Sequence, residues 1–436
     1  MSAFDSILGA VGELTEQIVS GGGSVENVLF KPSGSGVGIF AECDLAAGST
    51  LISVPFQMCL SVEMISQSSI GGIFEDNAGL LQYPDEVLAI ALMHAVLKPD
   101  SDVAWSLHTK SLPTSFNTTL YWSEAELDEL RGNMVYHLTK MMKRQIDADY
   151  LQIHQPLSEA YPHLLAGSTK ELYTWALSVV YSRSLEITRK GGHVRCIVPV
   201  LDMANHNPHS GAVPHDTFEY DDNLDTISLK ASAALGGGEE CYAVYGIYPN
   251  AKLVYNYGFA VLNNPHRAID MWAKPQPSSY AFEVKQAFLQ SNSLTRNQTY
   301  DFQGTIRSKY ISPALLATIR VIQADASEID NLPLALKGMV STRNEAACYL
   351  SLRSMLTSKM DLEKAMGDKT QLGKMLLDDA DPSDRLLLAL TVKVEERQLL
   401  EEALTMVNGW IQAIEQQGEE FSPADSLAEK RKVSEL

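Results

Sequence analysis

The densest set of chemically capable side chains is Asp202-Met-Ala-Asn205-His206-Asn207-Pro208-His209, which follows the apolar run Cys196–Leu201. A strand over that run delivers the Asn205 carboxamide and the His206 imidazole to an edge where free backbone groups bind a ligand. Two other readings of the same residues stay open. Asn and Asn-Pro are turn formers, with His206 then a satisfied structural histidine. Alternatively His206, His209, His215 and Asp216 make a loose metal-type set, although their spacing matches no familiar ligand pattern. A second concentration is aromatic: Tyr242, Tyr245, Tyr248, Tyr255 and Tyr257 crowd sixteen residues, with Gly258-Phe259 following. Single strand tyrosines ordinarily pack in a core. Gathered, they can instead wall an apolar, hydroxyl-lined pocket for a cation that must be desolvated. A third feature, Gly34-Ser-Gly36-Val-Gly38, precedes a strand and lets a ligand approach the backbone closely.

Several common catalytic signatures are missing. The chain has no GxxxxGK[ST], GxSxG or HExxH, and no GxGxxG opening a helix, which removes most support for P-loop, hydrolase and Rossmann readings.

The elements that must position these residues follow from periodicity. Ile7, Val11, Leu14 and Ile18 predict an amphipathic helix ending at Gly21-Gly-Gly23. Val37–Cys43 and Thr50–Val54 read as strands, as do Cys196–Leu201, the alternating Ile227, Leu229, Ala231 and Ala233, and Cys241–Tyr245. Between them, from about Pro84 to Leu185, the texture is helical. Asp85 and Glu86 stand in a first turn after Pro84, and capping-box spacings occur at Ser123–Glu126 and Ser168–Glu171. Beyond about Pro275 the chain reads as helical throughout. Asp381-Pro382-Ser-Asp384 marks a helix start, and Leu400, Leu404, Val407, Ile411 and Ile414 form a closing stripe.

A β unit interrupted by about a hundred helical residues is an α+β arrangement, not an alternating βαβ one. The predicted organisation is an N-terminal helix (1–24), a β unit (25–274) with a helical insertion at about 77–185, an all-helical unit (275–420) and a polar tail (421–436).

Composition bounds the rest. At 436 residues the chain is long for one core and predicts two or three units. With 34 basic against 54 acidic residues the formal net charge is −20, which disfavours nucleic acid as a direct ligand and permits a basic protein target. No apolar run approaches a membrane span. Asp5, Glu13 and Glu16, with no basic residue before Lys31, fit neither a signal nor a transit peptide, so the triplets at Asn117 and Asn297 are expected to stay unglycosylated. Five scattered cysteines, none in CxxC spacing, exclude a cysteine zinc cluster and predict reduced thiols in a cytoplasmic or nuclear protein.

Taken together, the segments GSGVGIFAECDLAAGSTLISVP (34–55), WSLHTKSLP (105–113), YWSEAEL (121–127), YSRS (181–184), IVPVLDMANH (197–206) and YAVYGIYPNAKLVYNYGF (242–259) resemble the SET-domain protein methyltransferases of the Rubisco large-subunit lysine methyltransferase class. DPSDRLLLALTVKVEERQLLEEAL (381–404) is similar to that class's closing helices, so the resemblance covers nearly the whole chain. It implies a SET-type β fold split by a helical insertion, followed by a helical domain that docks a protein substrate. It further implies transfer of a methyl group from S-adenosyl-L-methionine to a side chain of a non-histone protein, by a chain expected to act as a monomer without metal, nucleic acid or membrane.

By position, the resemblance places Ser35, Gly36, Val37 and Gly38 along the cofactor and Arg183 on its carboxylate. Asn205 and His206 meet its adenine and amino-acid ends, and Phe259 packs on the adenine. Tyr245 stands at the transfer point and Tyr257 lines the acceptor channel. Related enzymes often carry a charged residue where Ser35 stands. A relative that methylates actin histidine has Asn where this chain has Leu185 and Arg where it has Tyr248. Both departures remove partners suited to an imidazole and favour lysine as the acceptor. Two rivals remain at this stage: a catalytically silent SET-like binding module, and a metal enzyme built on the histidine set.

Overall fold

The computed structural model describes residues 3–34, 36–100, 103–210, 217–294, 302–307, 310–364 and 384–417. The chain divides into two compact units. The first comprises 1–123, 137–247 and 252–259; the second comprises 124–136, 248–251 and 260–436.

The first unit opens with the helix Ala3–Ser20, whose Val11, Leu14 and Ile18 are buried as their spacing predicts. The strands that follow are β1 (Ser24–Val25), β2 (Val28–Ser33), β3 (Gly36–Ala41), β4 (Thr50–Pro55), β5 (Leu60–Ser61), β6 (Ser184–Arg189), β7 (Gly192–Ile197), β8 (Phe218–Asp221) and β9 (Thr226–Lys230). They make three small antiparallel sheets, ordered β1-β4-β9-β8, β2-β3 and β5-β7-β6. Ile39, Ile52, Val54, Ile227 and Leu229 lie in one core with Leu14 and Ile18, so the alternating strand faces and the helix stripe bury against each other. The β6–β7 hairpin closes on Lys190-Gly191 with φ of 49° and 79°, the left-handed pair that a two-residue turn of type I′ requires.

Between β5 and β6 lies the helical insertion. Its helices Pro84–Leu97 and Lys170–Arg183 pack together around Leu88, Leu92, Tyr173 and Val180. Pro84 is in the first turn, as the sequence predicts, with Asp85 and Glu86 beside it. The second of these helices is capped one residue later than its capping-box spacing suggests: Thr169, not Ser168, accepts from the Leu172 N–H at 3.1 Å. The Ser168 hydroxyl is turned back onto the Leu165 carbonyl.

Three strand expectations change. The alternation expected over Ile227–Ala233 is strand only over Thr226–Lys230, with Ala231 and Ala233 beyond it. The run Cys196–Leu201 stays extended only to Ile197. Val200 then takes φ 70° and ψ −39°, and the Leu201 N–H donates to the Pro199 carbonyl at 2.8 Å. That is a γ-turn in its rare, strained form, held by burial of the Val200 side chain. Cys241–Tyr245 forms no strand and makes one isolated bridge, the parallel one between His206 and Ala243.

In the second unit the bulk is helical, as expected, with the helices Phe282–Ser291, Pro313–Gln323, Thr342–Lys364 and Arg385–Gln417. It is not all helix. A three-stranded antiparallel sheet joins β10 (Ile269–Ala273), β11 (Phe302–Arg307) and β12 (Tyr310–Ile311). Its signal is the alternation of Ile269, Met271 and Ala273, all buried. The closing stripe is buried at Leu400, Val407, Ile411 and Ile414 and widened by Ala403 and Trp410. Residues 381–383 of the expected helix start, and Asn297, lie outside the described residues. Among the described residues no helix is long and apolar enough to cross a membrane.

Within this unit the Glu395 carboxylate accepts from both the backbone and the side-chain N–H of Asn250, the latter at 2.6 Å. Burial pushes its carboxyl up to about 7, outweighing those bonds. The unfolded carboxyl titrates near about 4.3, so folded-state stability is full below that pH and falls by about 3 kcal/mol as pH rises toward 7. Melting of the full chain is therefore expected to drop in temperature between pH 5 and pH 8, and Glu395→Gln to flatten that drop. Equal slopes in the two proteins would refute the assignment.

Candidate active site

The site forms where two chain segments interlock. The Ala243 N–H donates to the Asn205 carbonyl at 2.8 Å, and the Asn207 N–H donates back to the Ala243 carbonyl at 3.1 Å. The Tyr245 N–H donates to His206 Nδ1 at 3.1 Å, and the Tyr245 hydroxyl donates to the Ala204 carbonyl at 2.9 Å. Because His206 Nδ1 accepts a hydrogen bond, the proton of the neutral ring sits on Nε2. The strained turn at Val200 and the short 3-10 turn Leu201–Met203 aim Asn205 and His206 into this interlock.

An aromatic group closes around it. The Tyr245 ring lies 4.9 Å from Tyr257 and 5.1 Å from His206, centroid to centroid. Phe259 is 6.0 Å from His206 and 6.1 Å from Tyr257. Tyr257 and Phe259 flank Gly258, which ends the helix Asn250–Tyr257 with φ 78° while its N–H returns to the Leu253 carbonyl. A Cβ at Gly258 would stand 2.6 Å from the Asn117 backbone, so only glycine turns the chain here. The other tyrosines of the cluster are placed differently along the chain. Tyr242 lies beside Glu240, Tyr255 is in electrostatic contact with Tyr181, and Tyr248 falls in the second compact unit. Within the first unit the ring contacts join Tyr245, Tyr257, His206 and Phe259.

Arg183, the last residue of its helix, is anchored beside the interlock. Its Nη1 donates to the Asp202 carbonyl at 2.8 Å and to Asp202 Oδ2 at 3.2 Å, while its side chain stays one-fifth exposed (20%). His108 Nε2 lies 3.3 Å from the same Oδ2. Burial works to raise the Asp202 carboxyl, but the His108 imidazole and the Arg183 guanidinium together hold it below the usual carboxylate range. The Tyr245 phenol moves the other way, pushed up to about 12 by burial and by Asp202 and Glu240 against the opposing pull of Arg183. It is therefore a neutral hydroxyl at physiological pH.

The glycine segment meets the site through Glu240. Asn205 Nδ2 donates to Glu240 Oε1 at 2.7 Å and the Ser33 hydroxyl donates to Oε2 at 2.9 Å. Gly36 faces open space, whereas a Cβ at Gly38 would lie 2.3 Å from Glu240 Oε1. The face of Gly38 is thus not open to a ligand: the Glu240 carboxylate and Ser33 Cβ, 2.9 Å from a Cβ placed there, lie beside it. Val37 is buried in the core, and Ser35 lies outside the described residues.

So the described residues singled out from sequence converge: Gly36 and Gly38 through Glu240 to Asn205, then His206, Tyr245, Tyr257 and Phe259, with Arg183 beside them. Sequence reading missed His108, Glu240 and Ser33 as parts of the site. His108 is 94 residues from Asp202 and Ser33 is 207 from Glu240, separations that no periodicity reports. Among the described residues no group of three or more metal-type ligands comes together, and His215 and Asp216 lie outside them.

Gly258→Ala is expected to destabilise the chain by about 2–4 kcal/mol in urea unfolding, from the left-handed φ and the Asn117 clash together. A cost below about 0.5 kcal/mol would show that the turn is not constrained as described.

Comparison with known proteins bears on the fold and the class. Residues 276–400 match the family described as Rubisco LSMT substrate-binding. The [fructose-bisphosphate aldolase]-lysine N-methyltransferase of Arabidopsis thaliana chloroplasts is 23% identical over 408 residues, covering 89% of this chain and 80% of that protein. The actin-histidine N-methyltransferase of Plecturocebus moloch is 25% identical over 430 residues, covering 94% and 70%. Among solved structures, the SET domain of LSMT bound to lysine and AdoHcy aligns with a TM-score of 0.77 at 22% identity, over 94% of this chain and 92% of that one. Rubisco LSMT bound to AdoMet aligns with the same TM-score at 21% identity, over 93% of each. This chain therefore has the SET-domain fold of Rubisco LSMT, and it resembles the LSMT-like protein methyltransferases from its first unit through its substrate-binding segment.

Proposed function

We propose that this chain is an S-adenosylmethionine-dependent protein methyltransferase, with a lysine ε-amine as the acceptor and the C-terminal unit as the docking site of its protein substrate. The observation that carries the reading is the Tyr245 hydroxyl, tethered to Ala204 within an aromatic wall of His206, Tyr257 and Phe259. Relatives with both chemistries, lysine and histidine methylation, support the class.

The residues present fit the cofactor. Arg183 offers a partly exposed guanidinium to a carboxylate, Gly36 leaves open space along β3, and Asn205 and His206 stand beside the aromatic wall. When bound, S-adenosylmethionine supplies a methyl group already activated on a sulfonium. The protein's own task is alignment and electrostatics. Tyr245 donates its proton to Ala204, which leaves its oxygen lone pairs to orient the acceptor. An acceptor lysine, with an ordinary pKa of about 10.4, must arrive without its proton, and an apolar wall such as Tyr245 and Tyr257 lowers that value. Tyr245 does not act as a base at neutral pH, since its phenol ionises only near about 12.

Lysine is preferred over histidine because Leu185 and Tyr248 stand where the actin-histidine relative carries Asn and Arg. Leu185 pairs with Cys196 in the β6–β7 hairpin and packs on the core, so it offers an imidazole no hydrogen bond. The cytoplasmic or nuclear setting inferred from the cysteines belongs to the same proposal.

Three results are expected. Labelled methyl from S-adenosylmethionine should enter a protein of a cell extract and appear as methyl-lysine after acid hydrolysis; recovery as methylhistidine would overturn the acceptor assignment. Tyr245→Phe should retain cofactor binding and lose about 10²-fold or more in transfer rate, and unchanged turnover would sink the role given to this hydroxyl. The transfer rate should rise with pH as the acceptor amine deprotonates, with the Tyr245 phenol itself ionising only near about 12. A limb that moves in Tyr245→Phe near pH 8 would contradict the neutral-hydroxyl mechanism.

A further inference from the structure

Glu240 has no part in the reading above, yet it sits at the junction of the glycine segment and Asn205. Its backbone is fixed against β3: Phe40 and Glu240 are bridged, the Cys241 N–H donates to the Ile39 carbonyl at 2.7 Å, and the Ala41 N–H donates to the Glu239 carbonyl at 2.8 Å. The side chain is held across Gly38, where any Cβ would collide with it. Both carboxylate oxygens are engaged by neutral donors, Asn205 Nδ2 and the Ser33 hydroxyl. Among the described residues no Lys, Arg or His forms an ion pair with it. This half-buried carboxylate is thus held by neutral donors rather than by a cation.

Two consequences follow. With Nδ2 committed to Glu240, the Asn205 amide has a fixed sense, and its oxygen is the acceptor left for a ligand. The carboxylate is also one residue from the transfer segment: it holds the Asn205 side chain at 2.7 Å, and the Asn205 carbonyl accepts from the Ala243 N–H at 2.8 Å, two residues before Tyr245; in keeping with that, Glu240 is among the groups that raise the Tyr245 phenol.

We propose that Glu240 is a charged positioning residue of the cofactor pocket: it orients Asn205, and its negative charge makes the pocket favour cationic S-adenosylmethionine over its neutral product, S-adenosylhomocysteine. The inference rests on the cofactor reading of Asn205 given above. In that role Glu240 promotes product exchange, because loss of the sulfonium charge on transfer removes an attraction that the substrate form enjoys.

The test is calorimetric titration of the full chain with S-adenosylmethionine and S-adenosylhomocysteine separately, in wild type, Glu240→Gln and Ser33→Ala. Glu240→Gln is expected to weaken S-adenosylmethionine about tenfold and S-adenosylhomocysteine about threefold, so that the affinity ratio shifts by about threefold. Ser33→Ala keeps the charge and should leave the ratio unchanged. A merely structural role would weaken both ligands equally in Glu240→Gln, and that result, or no change at all, overturns the proposal. If Glu240→Gln alone does not fold, Ser33→Ala/Glu240→Gln, which removes the hydroxyl left to re-pair, reads the same ratio. If wild type binds neither ligand, the cofactor reading fails and this inference fails with it.

Discussion

Everything at this site depends on the backbone interlock between Ala204–Asn207 and Ala243–Tyr245. Four hydrogen bonds tie two segments that are forty residues apart in sequence, and each sets the position of a side chain with chemistry to do. The Tyr245 N–H fixes the His206 tautomer, and the Tyr245 hydroxyl is aimed by Ala204. Neither segment is part of an extended ladder. Precision here comes from side-chain and backbone bonds shared between two turns, inside a core built by the β4 and β9 neighbours and the N-terminal helix.

The strained Val200 turn shows why the interlock needs a rigid surround. A β-branched residue at positive φ costs of order 1–3 kcal/mol. Its side chain is wholly buried, and that burial offsets a comparable amount. The strain ends the strand at the point where Asp202 can turn inward to Arg183 and His108, and where Asn205 can reach Glu240. Asp202 is thus paired with Arg183 and His108 beside the site, in a chain whose overall balance is strongly acidic.

Much of this was legible in the sequence, for identifiable reasons. Local periodicity predicted the N-terminal helix, β3, β4, β9 and the closing helix, because each buries one regular face. The DMANH segment and the tyrosine cluster stood out by residue type, whereas Arg183 and the packing role of Phe259 came only from the family resemblance. What failed to show was whatever depends on contacts remote in sequence. The Cys196–Leu201 run looks like strand throughout, and only the structure reveals that Val200 breaks it. Five tyrosines look like one pocket, but the helix Asn250–Tyr257 directs Tyr255 and Tyr257 to different neighbours. Gly38 looks permissive toward a ligand, yet the Glu240 carboxylate and Ser33 lie beside it. The small sheet β10-β11-β12 lay across the expected boundary near residue 275 and so escaped both segments' readings.

The central claim is that Asn205 and its interlocked neighbours form a cofactor pocket. Isothermal titration of the purified chain with S-adenosylhomocysteine, wild type beside Asn205→Ala, tests it most directly. The account predicts saturable one-to-one binding by wild type that the substitution abolishes. Absence of binding by wild type, or equal binding by the variant, would contradict it.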